Sequence, residues 1–416
     1  MVSVAIMGHG VVGSGVSEIL TTHKNKLFNS LGEEIYIKYI LDLRDFPDHS
    51  LRDRFTKNFD DILNDREIRV VVEVMGGVHP AYEYVKACLS AGKSVVTSNK
   101  ELVATNGAEL LQIAKDNNAN FLFEASVGGG IPIIRPINQC LVANNVSEIA
   151  GILNGTTNFI LTKMIEDGMD FTDALKLAQD LGYAERNPEA DIEGHDACRK
   201  ICILASLAFG KHIYPDAVLT QGITNITLKD VEYARIWGGV IKLIGSVKRL
   251  PDKKIDIIVA PMFIPIKSQL ANIDDVFNGI MVRGDCTGDV VFYGKGAGKL
   301  PTASAVVADI VDCIKHLKTR KYLYWADSDN SSVLDYKESV TAMYIRANTD
   351  NKEFAYNKAK ELFGDIHILD NASSDSQDGE IAFVIEPMKY ADIAAKIAML
   401  EKDKISVQSQ IRIGDL

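Results

Sequence analysis

The sequence has 416 residues, 47% of them hydrophobic and 24% charged, with a formal net charge of −11. These values predict a globular protein of two or three domains and argue against a nucleic-acid-binding surface. No apolar run approaches the roughly 18 residues of a membrane span, the first ten residues lack the charged start of a signal peptide, and the six cysteines are irregularly spaced, so we expect a cytoplasmic protein with reduced thiols.

The chain begins with a dinucleotide-binding pattern. An apolar strand, residues 2–7, runs directly into Gly8-His9-Gly10-Val11-Val12-Gly13, and helical periodicity follows. In this fingerprint Gly8 allows the tight turn, Gly10 lets the backbone approach the pyrophosphate, and Gly13 lets helix and strand pack closely. The amino terminus of the helix offers N–H donors and a positive dipole end to the phosphates. The predicted cofactor-binding residues of this turn are Gly8, Gly10, Val11, Val12 and Gly13.

Two residues of opposite charge, Asp42 and Arg44, lie at the end of the second predicted strand, residues 35–43. An acidic residue at this place binds the ribose hydroxyls of NAD, whereas an arginine pairs with the extra phosphate of NADP. The sequence therefore leaves the choice between the two cofactors open, with Arg44 as a candidate cofactor ligand.

Two more strands, residues 70–74 and 94–97, alternate with predicted helices. This repeat predicts a Rossmann-type, doubly wound parallel sheet, whose strands end at the edge where ligands bind. Gly8, Gly76 and Lys100 all fall at that edge. A lysine after a strand is usually a solvated strand end, but the position of Lys100 makes it a candidate for contact with cofactor and substrate.

A glycine-rich loop follows a short strand that ends at Glu124. The loop, residues 125–132, contains three successive glycines, which leave main-chain groups accessible. Such a loop can bind an anion through its N–H groups, or a hard cation through its carbonyls together with Glu124. The alternative is a flexible hinge between domains, and the local sequence does not decide between them.

An acidic, proline-broken loop from Gly182 leads into a predicted apolar helix, residues 195–209. Asp196 and Lys200 are four residues apart, so they share one face of this helix near its start. With Glu185 in the loop, these groups can hold an amino-acid zwitterion, and a lysine beside a carboxylate and an apolar helix can act as a general acid. The alternative is an ordinary salt bridge between Asp196 and Lys200.

The same helix carries His195, Cys198 and Cys202 at a spacing typical of metal ligands. No fourth Cys or His lies nearby and the helix is otherwise apolar. The sequence therefore favours buried structural cysteines over a metal site.

Several motifs, taken together, resemble the homoserine dehydrogenase family. The likeness runs from residue 1 to about residue 318, in the family's order. Its motifs are Gly8 to Gly13, Thr97-Ser98-Asn99-Lys100, Glu124 to Pro132, Asn154-Gly155-Thr156-Thr157-Asn158, Gly182 to Lys200, and Gly294 to Gly298 followed by Pro301 to Asp309.

The resemblance implies NAD(P)-dependent interconversion of L-homoserine and L-aspartate 4-semialdehyde. It implies that Lys200 is the acid/base group, that Lys100 lies beside cofactor and substrate, and that Glu185 and Asp196 bind homoserine. Gly182 and Gly298 are expected to line the cofactor. A sodium ion is implied in the glycine-rich loop, and its expected ligands are Glu124, Val127, Gly129 and Ile131.

Composition changes after residue 320, and residues 325–332 are predicted to be a linker because they are rich in Asp, Ser and Asn. The predicted order beyond it is β-α-β-β-α-β, the ferredoxin-like arrangement, which resembles an ACT regulatory domain. Where ACT domains carry an Asp-x-x-Gly loop, this chain has Thr349-Asp350-Asn351-Lys352-Glu353 without a glycine. The order of elements predicts the fold, whereas the missing glycine leaves two alternatives for its role, inhibition by threonine and a degenerate domain kept for assembly.

The predicted architecture is α/β with three units: a dinucleotide-binding domain at residues 1–130, a substrate-binding and dimerisation domain at 131–320 with a helix at 301–318 that returns to the first domain, and an ACT-like domain at 335–416. A homodimer or homotetramer of the single-function form is expected, without nucleic-acid or membrane partners. Two alternatives are a related Rossmann dehydrogenase for another small amino or oxo acid, and a non-catalytic metabolite sensor. Either could lack the combination of Glu185, Asp196 and Lys200, which this chain has.

Overall fold

The computed structural model describes residues 1–319, 323–369 and 379–416. The first part of the chain forms a six-stranded, all-parallel sheet with the strand order β3-β2-β1-β4-β5-β6. Its strands are β1 (Val2–Met7), β2 (Ile35–Leu41), β3 (Phe55–Thr56), β4 (Ile68–Glu73), β5 (Ser94–Thr97) and β6 (Phe121–Leu122). Its helices are α1 (Val11–Thr22), α2 (Lys24–Leu31), α3 (Asp60–Leu63), α4 (Ala81–Ser90) and α5 (Lys100–Asp116). The expected doubly wound parallel sheet is confirmed.

The turn between β1 and α1 depends on two glycines for steric reasons. Gly8 has a φ of 99°, and a Cβ at this position would lie 2.9 Å from the carbonyl oxygen of Val74. A Cβ on Gly13 would lie 2.0 Å from the carbonyl oxygen of Gly8. Side chains at either position would therefore force the helix away from the sheet.

The second sheet has the strand order β12-β11-β7-β9-β10-β16-β13-β15-β14, and β8 pairs with β10 beside this path. Its strands before residue 320 are β7 (Val146–Ile152), β8 (Leu219–Thr220), β9 (Gly239–Arg249), β10 (Ile255–Pro265), β11 (Phe277–Gly284) and β12 (Gly288–Lys295). The helices of the same stretch are α6 (Gly155–Glu166), α7 (Phe171–Asp180), α8 (Glu189–Ile192), α9 (His195–Phe209), α10 (Leu228–Trp237) and α11 (Lys299–Lys315).

Helix α11 returns to the first sheet and packs against α1. The two helices approach closely at Gly15, where a Cβ would lie 2.9 Å both from the Cβ of Ala303 and from the carbonyl oxygen of Lys299. At the surface of the same contact, Lys299 pairs with Glu18 at 2.6 Å. This packing brings the start of α11 beside the glycine turn.

The C-terminal segment supplies β13 (Val340–Asn348), α12 (Lys352–Phe363), β14 (Ile366–Ile368), β15 (Glu380–Lys389), α13 (Tyr390–Lys402) and β16 (Ser406–Ile413). Its strand order, β16-β13-β15-β14, is antiparallel throughout and is that of a ferredoxin-like unit. Residues 370–378 lie outside the described residues, and the assignment to ACT domains stays a prediction. The segment is not a separate layer, because β16 pairs in parallel with β10 through Met262–Arg412 and Phe263–Ile413.

A buried polar network also fixes the C-terminal segment to α10. The guanidinium of Arg346 donates to Asp230 at 3.0 Å and to Glu380 at 3.1 Å. The Tyr344 hydroxyl reaches Asp230 at 3.2 Å, and the Tyr233 hydroxyl reaches Glu380 at 3.1 Å. All five side chains are buried. The hydrophobic core of the C-terminal segment therefore meets the larger core of the preceding residues across a network of charged and hydroxyl groups that hydrogen-bond to one another.

The predicted linker at residues 325–332 is packed rather than solvated at its start. Trp325 is 1% exposed, its ring lies 5.4 Å from that of Phe123, and its indole N–H donates to Nδ1 of His212 at 2.8 Å. His212 in turn bonds the carbonyl of Ala104 in α5 through Nε2 at 2.9 Å. The linker prediction was wrong for Trp325, because polar neighbours in the sequence concealed one large apolar anchor.

None of the helices in the described ranges combines the length and the apolar character needed to cross a membrane.

We expect Trp325→Ala to destabilise the protein by about 3 kcal/mol, because a large buried side chain and its hydrogen bond are both lost. The thermal unfolding midpoint should fall by several degrees. Tyr324→Ala is the matched control, since Tyr324 is 38% exposed and donates only to Gln112 at 3.1 Å. Equal midpoints for the two variants would contradict the anchoring role of Trp325.

Candidate active site

The centre of the site is a buried carboxylate at the start of α9. The helix begins after Gly194, which adopts a left-handed conformation with a φ of 82°. Asp196 is 3% exposed and Lys200 is 8% exposed, and the ammonium of Lys200 donates to Oδ2 of Asp196 at 2.7 Å. Lys200 also donates to the carbonyl oxygen of Leu153 at 2.7 Å. The predicted pairing on one helix face is present, but it is buried rather than an ordinary surface salt bridge.

A second lysine reaches the same carboxylate from the first sheet. The Nζ of Lys100, the first residue of α5, lies 2.6 Å from Oδ1 of Asp196, and its side chain is 42% exposed. The preceding residue, Asn99, caps α5 by accepting the N–H of Leu102 at 3.1 Å. The two lysines therefore come from helices that belong to the layers of different sheets, α5 and α9, and meet at one carboxylate.

The loops that hold Lys100 depend on a buried glutamate that the sequence reasoning missed. Glu73 ends β4 and accepts the Thr97 hydroxyl at 2.5 Å and the N–H of Met75 at 2.8 Å. Thr97 accepts the N–H of Asn99 at 2.9 Å, and the Asn99 amide donates to the carbonyl of Gly77 at 2.6 Å. Burial raises the pKa of Glu73. The feature of the sequence that could have indicated Glu73 was an acidic residue at the end of a largely apolar strand.

Asn154 and Asp191 complete the cluster. The Asn154 amide donates to Oδ2 of Asp196 at 2.9 Å and to Oδ1 of Asp191 at 2.7 Å, and its oxygen caps α6 by accepting the N–H of Thr157 at 2.8 Å. Burial, followed by the negative charge of Asp196, raises the pKa of Asp191. Both residues stand within motifs that the sequence singled out, but neither was given a role.

The electrostatic environment separates the two lysines. Burial opposes the charge of Asp196, but the ammonium groups of Lys200 and Lys100 outweigh burial and hold the pKa of the carboxyl below its usual range. Burial lowers the pKa of Lys200, and the positive charge of Lys100 adds to this lowering against the opposing effect of Asp196. The pKa of Lys100 is raised, chiefly by Asp196. Lys200 is therefore the lysine that loses its proton more readily.

The structure does not join Glu185 to this cluster. Its side chain is exposed, and within the described residues it forms no hydrogen bond or ion pair to a lysine of the site. Its carbonyl oxygen accepts the Gln179 amide at 3.1 Å. Gly182, with a φ of 76°, starts the same loop, which is tied to α6 because the Thr156 hydroxyl donates to the carbonyl of Tyr183 at 2.7 Å.

The glycine turn presents the features that a pyrophosphate requires. Gly10 caps α1 without a side-chain hydrogen bond, and no atom lies within 4 Å of the position that a Cβ would occupy. The first N–H of the helix that has a backbone acceptor is that of Ser14, which donates to the carbonyl oxygen of Gly10 at 3.0 Å. Three N–H groups come before it, those of Val11, Val12 and Gly13. These free donors at a helix amino terminus fit an anion.

Two further glycines border this end of the first sheet. Gly76 follows β4 with a φ of 81°, and open space surrounds the place of its missing Cβ. Gly298 caps α11 with a φ of 122°. The backbone at both positions can approach a ligand without obstruction by a side chain.

Asp42 and Arg44 form a pair at the end of β2. The guanidinium of Arg44 donates to the carboxylate of Asp42 at 3.0 and 2.9 Å, and this contact holds the pKa of Asp42 well below its usual range. The N–H of His9 donates to the same carboxylate at 2.8 Å. A cavity of about 420 Å³ lies beside the pair, bordered also by Arg52 and Phe55.

The glycine-rich loop has a buried carboxylate at its base. Glu124 accepts the backbone N–H groups of Ile133, Ile134 and Arg135 at 2.6, 2.8 and 2.8 Å. Its own N–H donates to Asp309 at 2.8 Å, and Asp309 also pairs with the guanidinium of Arg135. Burial raises the pKa of Asp309 to about 7. The Glu124 side chain thus holds the backbone of residues 133–135, which directly follow the loop.

The expected cation ligands in this loop are main-chain groups. Val127, Gly129 and Ile131 are buried, and no group in the described part of the chain donates a hydrogen bond to their carbonyl oxygens. Because buried carbonyls rarely stay unpaired, these three oxygens fit a hard cation.

The metal-like spacing on α9 does not place its three side chains in one environment. Cys198 and Cys202 are buried and His195 is exposed. No group of three or more His, Cys, Asp or Glu residues able to hold a metal exists among the residues that the structure describes.

Comparison with known proteins shows which family the chain resembles. The family model "Homoserine dehydrogenase, NAD binding domain" matches residues 8–124, and the model "Homoserine dehydrogenase" matches residues 132–311. The homoserine dehydrogenase of Neisseria gonorrhoeae is 36% identical over 414 residues, which cover 96% of this chain and 95% of the relative.

Two solved structures are similar over large parts of the chain. The homoserine dehydrogenase of Thiobacillus denitrificans is 34% identical with a TM-score of 0.88, covering all of this chain and 98% of that one. A hyperthermophilic archaeal homoserine dehydrogenase mutant, solved in complex with NADPH, is 29% identical with a TM-score of 0.65, covering 75% of this chain and 97% of that one.

We expect Asp196→Asn to lower the free energy of unfolding by about 3 kcal/mol, because removing one partner leaves buried positive charge uncompensated. The thermal midpoint measures the loss. Asp191→Asn is the control, since Asp191 accepts an amide hydrogen bond and forms no ion pair with a described lysine. Comparable midpoints for both variants would exclude Asp196 as the charge that stabilises the two lysines.

Proposed function

The chain belongs to the homoserine dehydrogenase family, an NAD(P)-dependent oxidoreductase family, and we propose that Lys200 is the acid/base group of its reaction. The family interconverts L-homoserine and L-aspartate 4-semialdehyde in amino-acid biosynthesis. In the reducing direction Lys200 gives a proton to the aldehyde oxygen, and in the oxidising direction it takes the proton of the homoserine hydroxyl. The observation that carries this role is the burial of Lys200 against Asp196, whose other carboxylate oxygen contacts a second lysine.

Proton transfer is most effective when the pKa of the transferring group lies near the working pH. Burial and the charge of Lys100 move the pKa of Lys200 downward, which brings a lysine closer to that condition. The contacts with Asp196 and the carbonyl of Leu153 fix the ammonium in position. Lys200 therefore has both a fixed geometry and an altered proton affinity.

Lys100 and Asp196 have different roles in binding the cofactor and the substrate. Lys100 is half-exposed while its ammonium is fixed on Asp196, so it can contact both cofactor and substrate. Asp196 keeps the two ammonium groups together and presents a carboxylate to the amino and hydroxyl end of homoserine. We assign Glu185 to the same end of the substrate, from its exposed loop.

The cofactor fits the edge of the first sheet. Bound NAD(P) supplies or accepts the hydride. The free N–H groups of Val11, Val12 and Gly13 hold the pyrophosphate, and the open backbone at Gly10, Gly76 and Gly298 admits the dinucleotide. Gly182 completes the cofactor lining, and the cavity beside Asp42 and Arg44 takes the adenosine end. Support comes from the open space at Gly10 and from the similar archaeal structure with NADPH.

A sodium ion in the glycine-rich loop is a further part of the proposal. The unpaired carbonyl oxygens of Val127, Gly129 and Ile131 support it. Because the Glu124 carboxylate is occupied by three N–H groups, Glu124 would contribute through its main chain, or its side chain would reach the ion only by giving up such a bond. The ion would fix the loop that packs against Gly296.

Three other expectations stay predictions. A homodimer or homotetramer is supported by half-exposed apolar side chains on the second sheet, among them Ile258 and Tyr293. Threonine as an effector has only the ferredoxin-like C-terminal unit in its favour. Cytoplasmic location follows from the role of the family in biosynthesis.

Replacing Lys200 with methionine removes the proton donor while keeping most of the side-chain volume. We expect turnover of L-homoserine to fall by about 100-fold or more, measured from the absorbance of NAD(P)H, with cofactor binding retained in a fluorescence titration. The control is Lys93→Met, because Lys93 is equally buried but donates to the carbonyls of Asp65 and Ile68. Unchanged turnover in Lys200→Met would remove Lys200 from the mechanism.

The lowered pKa of Lys200 predicts a specific pH dependence. Oxidation needs the neutral amine, so its rate should rise with pH and level off below the ordinary lysine value of about 10.4, while reduction should fall over the same range. Lys100→Met removes a positive neighbour, so the apparent pKa of Lys200 should rise and the transition should move to higher pH. An unshifted transition in the residual activity would show that Lys200 is not the titrating group.

Arg44 should distinguish the two cofactors. We expect Arg44→Ser to lower kcat/KM for NADP by about tenfold, because a charge-assisted contact with the extra phosphate is lost, and to change the value for NAD little. Arg66→Ser, an exposed arginine away from the site, serves as the control. Equal losses with both cofactors would place Arg44 outside phosphate recognition.

A further inference from the structure

A closed ring of buried hydrogen bonds joins the loop after β4 to the start of α5. At its centre is the carboxylate of Glu73, which is 0% exposed. One carboxylate oxygen accepts the N–H of Met75 at 2.8 Å, and the other accepts the Thr97 hydroxyl at 2.5 Å. The ring closes through Asn99, which donates its N–H to the Thr97 oxygen at 2.9 Å and its side-chain amide to the carbonyl of Gly77 at 2.6 Å. This Glu73 ring therefore holds two loops that follow neighbouring strands, β4 and β5.

The first of these loops lies at the ligand-binding edge of the parallel sheet. Gly76 and Gly77 have φ values of 81° and 71°, and a Cβ on Gly76 would meet no atom within 4 Å. Successive glycines leave a backbone with more conformational freedom than any other residues do, so fixing them costs more entropy. The hydrogen bonds of the Glu73 ring offset part of that cost, and a dinucleotide bound against the open backbone would order the loop further.

The second loop leads directly to Lys100. Asn99 caps α5 by accepting the N–H of Leu102 at 3.1 Å, and Lys100 is the first residue of that helix. The ammonium of Lys100 lies 2.6 Å from the carboxylate of Asp196. Because Lys100 directly follows a member of the Glu73 ring, movement of the ring changes where this ammonium lies.

The chemistry of Glu73 favours a role in orientation over one in stability. Burial raises the pKa of its carboxyl, and the groups that oppose this are hydrogen-bond donors, namely the N–H groups of Met75 and Gly76 and the side chains of Thr97 and Asn99. No lysine or arginine among the described residues forms an ion pair with it. Apolar side chains that replace a buried polar group and its partner are often just as stable, so an apolar strand does not need a glutamate at its end in order to fold.

We propose that Glu73 is a positioning residue that couples cofactor binding to substrate binding, because NAD(P) bound against Gly76 and Gly77 orders the ring that places Lys100. The first ligand to order the ring spares the second ligand that entropic cost. By thermodynamic linkage, the substrate tightens the cofactor by the same factor as the cofactor tightens the substrate. This inference rests on the proposed contact of Lys100 with both ligands, and it involves no covalent step.

The coupling is measured with L-homoserine and whichever of NADH and NADPH binds more tightly. These two ligands do not react with each other, because both are already reduced. Fluorescence titrations of the cofactor, with and without saturating L-homoserine, give two dissociation constants. For the natural sequence we expect L-homoserine to tighten the cofactor by about tenfold, within the usual range for two coupled sites.

Thr97→Val keeps the shape of the side chain but removes its hydroxyl from the Glu73 ring. We expect this variant to bind the cofactor alone with an affinity close to that of the natural sequence, while the coupling factor falls to about one. Thr97→Ser restores the hydroxyl and should restore the coupling. Glu73→Gln presents an amide N–H group to partners that are themselves donors, so it should lose the coupling as well.

Thr162→Val is the matched control. Thr162 is buried like Thr97, and its hydroxyl also donates and accepts, to the carbonyl of Asn158 at 2.7 Å and from the N–H of Asp275 at 3.0 Å. This variant should keep the full coupling factor. Thermal midpoints of all variants are measured alongside, and if Thr97→Val does not fold, Glu73→Gln decides.

Three results overturn the proposal: absence of coupling in the natural sequence, full coupling in Thr97→Val, or an equal loss in Thr162→Val. Lys100→Met should lose the coupling although the Glu73 ring is intact, and full coupling in that variant would show that the ring does not act through Lys100. Lys200→Met separates this inference from the proposed acid/base role. Its turnover tests proton transfer, whereas the coupling measured with two unreactive ligands does not depend on proton transfer.

Discussion

The arrangement of the site depends on one buried carboxylate. Asp196 is almost fully removed from water, and a lone carboxylate in such a place would be protonated or would destabilise the fold. It remains ionised because Lys200 approaches one oxygen and Lys100 the other. The converse also holds, since Lys200 is just as deeply buried and could not keep a proton without Asp196. The three groups are therefore stable only together, and the two ammonium groups and one carboxylate carry a combined charge of one positive unit.

This mutual dependence constrains the whole chain, because the two lysines come from helices that pack against different sheets. Lys100 begins α5 at the edge of the parallel sheet, and Lys200 lies in α9 against the second sheet. A displacement of about 1 Å between them would separate an ammonium from its carboxylate. Two packing devices resist such movement: α11 folds back onto α1 at Gly15, and Trp325 is seated against α5 through His212. Large apolar contacts thus hold the geometry that the charges require.

The sequence predicted the parts of the molecule that obey local rules. The strand at residues 94–97 and the helix at 195–209 have the predicted bounds, because periodicity, capping residues and glycines define them within a short window. The i,i+4 spacing of Asp196 and Lys200 placed them on one helix face for the same reason. What the residues alone could not show was the approach of Lys100, which is 96 positions away from Asp196. Its position followed from sheet topology and family resemblance.

Other parts escaped prediction because their meaning comes from tertiary packing. Trp325 stands among polar residues, so local composition indicated a linker, although the side chain fills the gap between α5 and Phe123. Glu73 was missed as a support because a single polar residue in an apolar stretch has no recognisable pattern, and Asn154 was missed because its contacts with Asp191 and Asp196 span 37 and 42 positions of the chain. Glu185 is the opposite case, because the sequence predicted a role for it but the structure does not join it to the site. Its role rests on resemblance, and the structure leaves its side chain exposed, so its contact with substrate requires the ligand itself or movement of its loop.

The attachment of the C-terminal segment follows the same physical logic as the site. Only two residue pairs join β16 to β10, too few to fix the orientation of a unit with its own core. The buried network around Asp230 supplies that orientation, because Arg346, Glu380 and Tyr344 can satisfy one another only in one arrangement. Such networks contribute little net stability but penalise misplacement strongly. Asp230 belongs to α10, and Arg235 of that helix donates to the carbonyl of Ile165 in α6 at 3.2 Å. Asn154, whose amide holds Asp196, caps the other end of α6. The helices α10 and α6, joined by the Arg235 contact, therefore lie between the C-terminal segment and the charge that holds both lysines.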